Sequence, residues 1–314
     1  GEGVIDPVTD LIPEIDKYSN IRLYKLDLIC APGYPDQNVQ DALDAMCKVR
    51  QDCAGLIETP LLGSRAAIEQ WYNGLGGGRT EKLNTYFLWL YGPYLKIRKR
   101  TFGVTDQETT TQLGDYSPLT RVLGAVCRSD ALSNTKLRPP AGAVRSTITN
   151  VEGLQLDLTA QDEERLQGEE YDGVFNPVIF TIDDGYHING NRSALRKNSN
   201  GKLTSLAYIE SVRVGFAIKR QAEERSKFYF FEPNDPRLRE SFESDLRGIL
   251  KTLEEQRALK AGWVVDTSAA VNTVNVERQG GLVAVLEFTT TRAVRKVKIY
   301  ATLTEPGQVS LTAA

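Results

Sequence analysis

Between Leu23 and Tyr91 short apolar runs alternate with stretches of helical spacing. Leu23 to Ala31 (LYKLDLICA) predicts a strand stopped by Pro32-Gly33. With Asp36 as cap, Val39, Ala42, Leu43, Met46 and Cys47 fall on one side of a helix. Cys53 to Glu58 (CAGLIE) predicts a second, buried strand closed by Thr59-Pro60. Gly63 to Leu75 predicts a second helix with Ala67, Ile68, Trp71 and Tyr72 on one side, and Tyr86 to Tyr91 (YFLWLY) a third strand. Strand, helix, strand, helix, strand in this order implies a parallel sheet with right-handed crossovers.

Residues 97–150 hold turn formers and no long period, which predicts a loop-rich stretch. Gly153 to Leu158 alternates like a short strand, and 161–172 reads as an acidic, solvated segment. Val178 to Ile182 predicts a strand leading into Asp183-Asp184-Gly185 and a turn-rich run to Gly201. The last third is more regular. Leu206, Ile209, Val212, Phe216 and Ala217 predict a helix from about Thr204 to Glu224, and Phe228 to Phe231 (FYFF) an apolar strand. Asp235 as cap and Pro236 at the first position then open a long helix with the stripe Leu238, Phe242, Leu246, Ile249, Leu250, Leu253. After Trp263, Leu282, Ala284, Leu286 and Phe288 alternate, as do Val297, Ile299, Ala301 and Leu303, with Gln279-Gly280-Gly281 as a turn.

The fold class expected is therefore α/β passing to α+β: a parallel-type βαβαβ core with a loop-rich segment, then a helix with antiparallel strands. The boundaries read as 1–22 for a linker or arm, 23–202 for the core with its loop-rich 97–150, and 203–314 for a C-terminal α+β assembly domain.

The 314 residues are 41% hydrophobic and 25% charged, a balance able to bury a real core. A formal charge of −3 speaks against direct nucleic-acid binding by bulk electrostatics. No apolar run nears the ~18–20 residues a membrane-crossing helix needs, so no membrane insertion is expected. The chain does not begin with Met, and a fragment lacking its N-terminal part is the expectation. Cys30, Cys47, Cys53 and Cys127 form no CxxC pair and read as four reduced core thiols; no metal or cofactor is expected.

Two motifs point weakly to chemistry. Gly74-Leu75-Gly76-Gly77-Gly78-Arg79 ends a helix and precedes a strand, whereas a phosphate cradle follows a strand and opens a helix. It reads as a helix cap and loop. Asp183, Asp184 and His187 follow a strand, where an α/β enzyme could carry an acid–base set, but no nucleophile elbow accompanies them and two aspartates before Gly also make an Asx turn. Lys96, Arg98, Lys99 and Arg100 form a short basic patch. Arg292, Arg295, Lys296 and Lys298 make four positive charges with no acid between Phe288 and Thr304. On a strand they are either guards of an edge or the means of pairing it with a chosen partner strand. The residues favour assembly over catalysis.

The order of motifs resembles the tail sheath proteins of contractile-tailed bacteriophages, a family related to contractile bacteriocin and type VI secretion sheaths. Leu26 to Pro60 is similar to that family's strand, Pro-Gly turn, helix and Pro-terminated strand. Tyr91-Gly92-Pro93-Tyr94, Ser117-Pro118, Gly124-Ala125, Arg128-Ser129-Asp130, Pro139-Pro140-Ala141-Gly142 and Gly190-Asn191-Arg192-Ser193 follow in the family's order. Phe231-Glu232-Pro233-Asn234-Asp235 before the long helix is the most specific match, and Asn272-Thr273 and the closing strands resemble the C-terminal domain. The family usually has Trp where this helix has Leu238 or Arg239, and before Gly190. The resemblance implies a non-enzymatic structural subunit of the virion tail, assembled in the host cytoplasm. It implies hexameric rings of identical copies stacked in a helix around an inner tail tube protein, with baseplate and tail terminator proteins as further partners. It also implies swapped arms that add strands to a neighbour's sheet, and contraction that drives the tube through the host envelope for DNA ejection. By that analogy Ala293–Leu303, with Arg295, Lys296 and Lys298, joins an inter-subunit sheet. The polar side of the 235–260 helix with Arg247, Lys251 and Glu254, or the adjacent basic stretch, is then expected to lie towards the tube.

Overall fold

The computed structural model describes residues 6–102, 108–133 and 138–293. A π-helical turn at Pro7–Leu11 and helix α1 (Ile12–Lys17) open the chain, and Ile15 is buried where α1 packs on α2 (Gln37–Arg50). This start, expected to be an arm, is thus helical from residue 7. Strand β1 is short, Leu28–Cys30, and the Asp36 carboxylate caps α2 by accepting from the Asn38 N–H at 2.8 Å. Strand β2 (Ala54–Glu58), helix α3 (Arg65–Tyr72) and strand β3 (Leu88–Gly92) follow as the apolar runs require. All five residues of β2 and of β3 are buried, as for strands covered on both faces.

The stretch expected to be loop-rich is instead a hairpin, β4 (Leu95–Phe102) and β5 (Glu108–Tyr116), followed by helix α4 (Leu119–Ser133). The basic patch lies on β4, where Arg98 grips the Glu152 carboxylate with two N–H groups at 2.7 Å. Strand β6 is only Gly153–Leu154, paired to β4. The acidic segment is helix α5 (Ala160–Gln167), started by a capping box between Thr159 and Asp162. Strands β7 (Phe175–Thr181) and β8 (Gly185–Ile188) then form an antiparallel pair, so the turn expected after Ile182 occupies only 182–184.

The main sheet has the order β1-β2-β3-β7-β8, parallel across its first four strands. The predicted parallel βαβαβ core is therefore present.

Beyond it, helix α6 runs over Ile209–Ser226, starting later than Thr204 because residues 205–207 form a 3-10 turn. The FYFF run is not a strand: 227–229 is another 3-10 turn, and Phe228, Phe230 and Phe231 are exposed. Helix α7 (Pro236–Glu255) starts where predicted, Asp235 accepting from the Leu238 N–H at 2.8 Å. It buries Phe242, Leu246, Ile249, Leu250 and Leu253. Strand β9 (Val264–Asp266), helix α8 (Val274–Arg278) and strand β10 (Val285–Glu287) complete the described chain, β9 and β10 antiparallel as expected after Trp263.

Two apolar clusters result. The larger surrounds the main sheet; the smaller joins α7 to the alternating Leu282, Ala284, Leu286 and Phe288. Helix α6 belongs to both: Ile209, Val212 and Phe216 enter the first, Val214 and Ile218 the second.

Candidate assembly surface

Each candidate has a definite place. Arg247 lies half-exposed on α7, paired with Glu243 one turn earlier at 2.7 Å. Thr267 donates its hydroxyl to the same Glu243 at 2.6 Å, and these two bonds, Thr267 first, hold the Glu243 carboxyl below the usual range. Lys251 is exposed one turn beyond Arg247. Glu254 is already engaged: it accepts from the Trp263 indole N–H at 2.6 Å and is half-buried. The three lie along one side of α7, but Trp263 covers Glu254 while Arg247 and Lys251 stay exposed. Arg295, Lys296 and Lys298, with all of Ala293–Leu303 except Ala293, lie outside the described residues. Ala293 is placed by its backbone N–H, which donates to Glu210 Oε1 at 3.3 Å, and Arg292 stacks over Tyr208 at 4.8 Å.

The catalytic alternative gains nothing from the geometry. Asp183 and Asp184 are exposed in the β7–β8 turn, while His187 is buried and its Nδ1 meets the Gly185 carbonyl at 3.1 Å. Among the described residues no hydrogen bond joins His187 to either aspartate. The glycine cluster does follow α3 as a cap and loop, and Gly74, Gly76, Gly77 and Gly78 all have positive φ. Arg79 holds that loop down by donating to Gln40 Oε1 at 2.9 Å and to Asp41 at 3.1 Å. No group of three His, Cys, Asp or Glu able to hold a metal occurs among the described residues, and none of their helices is long and apolar enough to cross a membrane. The four cysteines are free thiols, but only Cys47 and Cys53 are core residues; Cys30 is half-buried and Cys127 exposed on α4.

The motif Gly190-Asn191-Arg192-Ser193 is legible in the sequence; the buried polar node it forms with Asn176 is not. Asn176, inside β7, donates to the carbonyls of Leu90 (3.0 Å) and Arg192 (2.7 Å) and accepts from the Arg192 N–H at 2.6 Å. A Cβ on Gly190 would sit 2.8 Å from Asn176 Cα, so only glycine fits there. Asn191 donates to Glu210 at 2.8 Å, fixing the start of α6. The signal available was Asn176-Pro177 inside an otherwise apolar strand. Farther along, Arg213 pairs with Asp130 of α4 at 2.6 Å, Lys219 donates to the Arg50 carbonyl at 2.7 Å, and Arg220 pairs with Asp27. Polar contacts thus fasten α6 to the core along its length.

The described residues thus form a mixed α/β unit carrying a helix-and-hairpin unit on a shared helix. Comparisons with known proteins specify it. Residues 202–304 match the family model of the phage tail sheath C-terminal domain. A tail sheath protein of Vibrio phage KVP40 is 24% identical over 232 residues, 68% of this chain. The chain spans 31% of that relative's length. The sheath complex of an extracellular contractile injection system, in its contracted state, has the same fold: TM-score 0.71 at 16% identity, covering 94% of this chain and 73% of the other. The helical sheath of the anti-feeding prophage, also contracted, gives 0.67 at 16% identity, covering 95% and 76%. The chain is thus similar to contractile tail sheath proteins in its segment 202–304 and in its fold, as its motif order implied.

Proposed function

We propose that this chain is a structural subunit of a contractile tail sheath. It polymerises with copies of itself as a six-fold helical tube around an inner tail tube, between baseplate and terminator proteins. Contraction then drives that tube through a host envelope for DNA ejection. The observation that carries this reading is the sheath C-terminal domain at 202–304 joined to a core that keeps the sheath fold. Assembly and contraction need no bound nucleotide if free energy is stored in contacts between copies, and switching assemblies are bistable at such interfaces. Contacts of one copy's surface with a different surface of the next build open helices. In this reading Ala293–Leu303 adds a strand to a neighbour, and Arg247 and Lys251 face the tube. Glu254 is the weakest of those candidates, being engaged by Trp263.

The test is negative-stain electron microscopy of the full-length gene product, with and without Ala293–Leu303. Striated hollow tubes that vanish on deletion support the reading; monodisperse monomers across salt, concentration and added tube protein contradict it. A second reading, the sheath of an injection machine that carries no genome, is favoured by the injection-system and anti-feeding-prophage matches. Particles isolated with the protein decide between the two by whether a DNA-filled capsid sits above the tail.

A further inference from the structure

Helix α2 and strand β2 meet at a tight reversal that carries two cysteines. Gln51, at φ 57°, ends α2 with its N–H on the Cys47 carbonyl at 2.7 Å, a left-handed cap that turns the chain directly into β2. The reversal returns Cys53 to the last turn of α2, and the Sγ atoms of Cys47 and Cys53 lie 3.7 Å apart. Both residues are wholly buried in the main-sheet cluster, and both are free thiols in this structure.

The turn between the two sulfurs is where other elements are fastened to the core. Arg50 donates to the carbonyls of Tyr18 and Tyr24 at 2.7 and 3.1 Å, which holds the chain that leads from α1 to β1. Lys219 donates to the Arg50 carbonyl at 2.7 Å and Arg220 to that of Asp52 at 2.8 Å, so α6 is tied to the same turn.

We propose that Cys47 and Cys53 are a disulfide site within one copy, closed by hydrogen peroxide, and that the bond staples the turn to which α6 is tied. A disulfide holds its sulfurs ~2.05 Å apart. Each sulfur therefore moves by about 0.8 Å, less than a step between rotamers. Cys53 starts the chemistry: hydrogen bonding with the Cys47 thiol, helped by the Arg50 guanidinium, holds its pKa below the usual thiol range in spite of burial. Its thiolate attacks one peroxide oxygen, the O–O bond breaks, and Cys53 becomes a sulfenic acid while the departing hydroxide takes up the thiol's proton. Cys47 then gives up its proton and attacks the Cys53 sulfur; the S–S bond forms, the S–O bond breaks and a second water leaves. Two thiols are oxidised and one peroxide is reduced. Buried sulfurs meet the oxidant only when the turn opens locally, so the reaction is slower than at an exposed thiol. Cytosolic thiol buffers keep the pair reduced, and it closes outside them. The site lies within one copy and does not depend on the assembly proposed above.

The test treats the folded, unaltered full chain with hydrogen peroxide and digests it with a peptidase that cuts before aspartate. Cleavage before Asp27, Asp36, Asp44 and Asp52 puts Cys30, Cys47 and Cys53 in three different peptides. The expected product joins the 44–51 peptide to the one that begins at Asp52, until dithiothreitol separates them. Closing the 47–53 loop is expected to raise the folding constant on the order of 50-fold, read as a higher urea midpoint that dithiothreitol reverses and Cys53→Ser abolishes. Native protein that keeps both thiols at every peroxide dose would show that the two are core residues and nothing more. Oxygen acids on Cys53 without the link, or a midpoint that falls on oxidation, overturn the proposal as well.

Discussion

The two apolar clusters hold together in different ways. Around the main sheet, buried cations reach across long stretches of sequence. Arg196 donates to the carbonyls of Tyr72 and Leu83 at 2.9 and 2.8 Å and to that of Asp172, with its guanidinium 4.6 Å from the Tyr72 ring. Burial pulls its pKa down to about 10, still charged at neutral pH. Arg50 binds Asp52 with two N–H groups and the carbonyls of Tyr18 and Tyr24. The second cluster rests more on an apolar stripe on α7 against an alternating strand, with ion pairs on the outside and a buried amide, Asn272, bonded to the nearby backbone of Thr267 and Val283. The first arrangement fixes one geometry, because each bond fails if its partner shifts. On the outside of α7 Arg247 pairs within its own helix and Lys251 is exposed, so these two positions are able to vary with a partner. Helix α6, with a face in each cluster, makes one body of the two.

That contrast is broken most sharply at Arg196. Arg196→Met takes the guanidinium from the carbonyls of Leu83 and Asp172, while the Tyr72 carbonyl keeps the Leu83 N–H at 3.0 Å, and is expected to cost about 3–5 kcal/mol, measured by urea unfolding. Leu250→Ala, in the second cluster, is expected to cost about 2–5 kcal/mol by opening a cavity. Since α6 is shared, it should lower both clusters in a single transition; two separate transitions would show that they fold apart.

Glu58 sharpens the comparison through pH. It closes β2 by accepting from the Gly33 N–H at 2.6 Å and from the Ser117 hydroxyl, yet burial outweighs these bonds and raises its pKa to about 6. A carboxyl with a raised folded pKa binds its proton more tightly when folded, so stability falls as pH rises from about 4.5 to about 6 and then levels. The span is worth about 2 kcal/mol. Glu58→Gln is expected to remove that slope, which unfolding midpoints across pH 4 to 7 would reveal. At the small end, Arg247→Ala breaks an exposed pair one helical turn apart and should change stability by less than ~0.5 kcal/mol. A larger loss would mean that this face is structural and not available to a partner.

The second cluster was the more legible from sequence for the same physical reason. A stripe such as Phe242, Leu246, Ile249, Leu250 and Leu253 is local, and the cap and proline that start it adjoin it. The core's alternation of strand and helix was readable too, since fully buried strands are continuous apolar runs. What failed lacked a local signature. The β4–β5 hairpin is polar, its register set by pairing instead of by an apolar face. FYFF has the composition of a strand, but only Tyr229 is even partly buried, against Phe242. Helix α6 was readable as a helix from its first stripe, but its second buried face, Val214 and Ile218 against the other cluster, was not. Asn176 and Arg192 are polar letters whose partners lie far along the chain. At the candidate surface, charge pattern found Arg247 and Lys251 on one face, but could not foresee that Trp263 would claim Glu254.

The most direct test of the account is cryo-electron microscopy of tubes formed by the full-length protein, in an extended and a contracted lattice. The account predicts that α6 and both clusters superpose as one body in the two lattices, with every large displacement lying between copies. A bend within α6, or a core and a C-terminal unit that swing against each other, would contradict it.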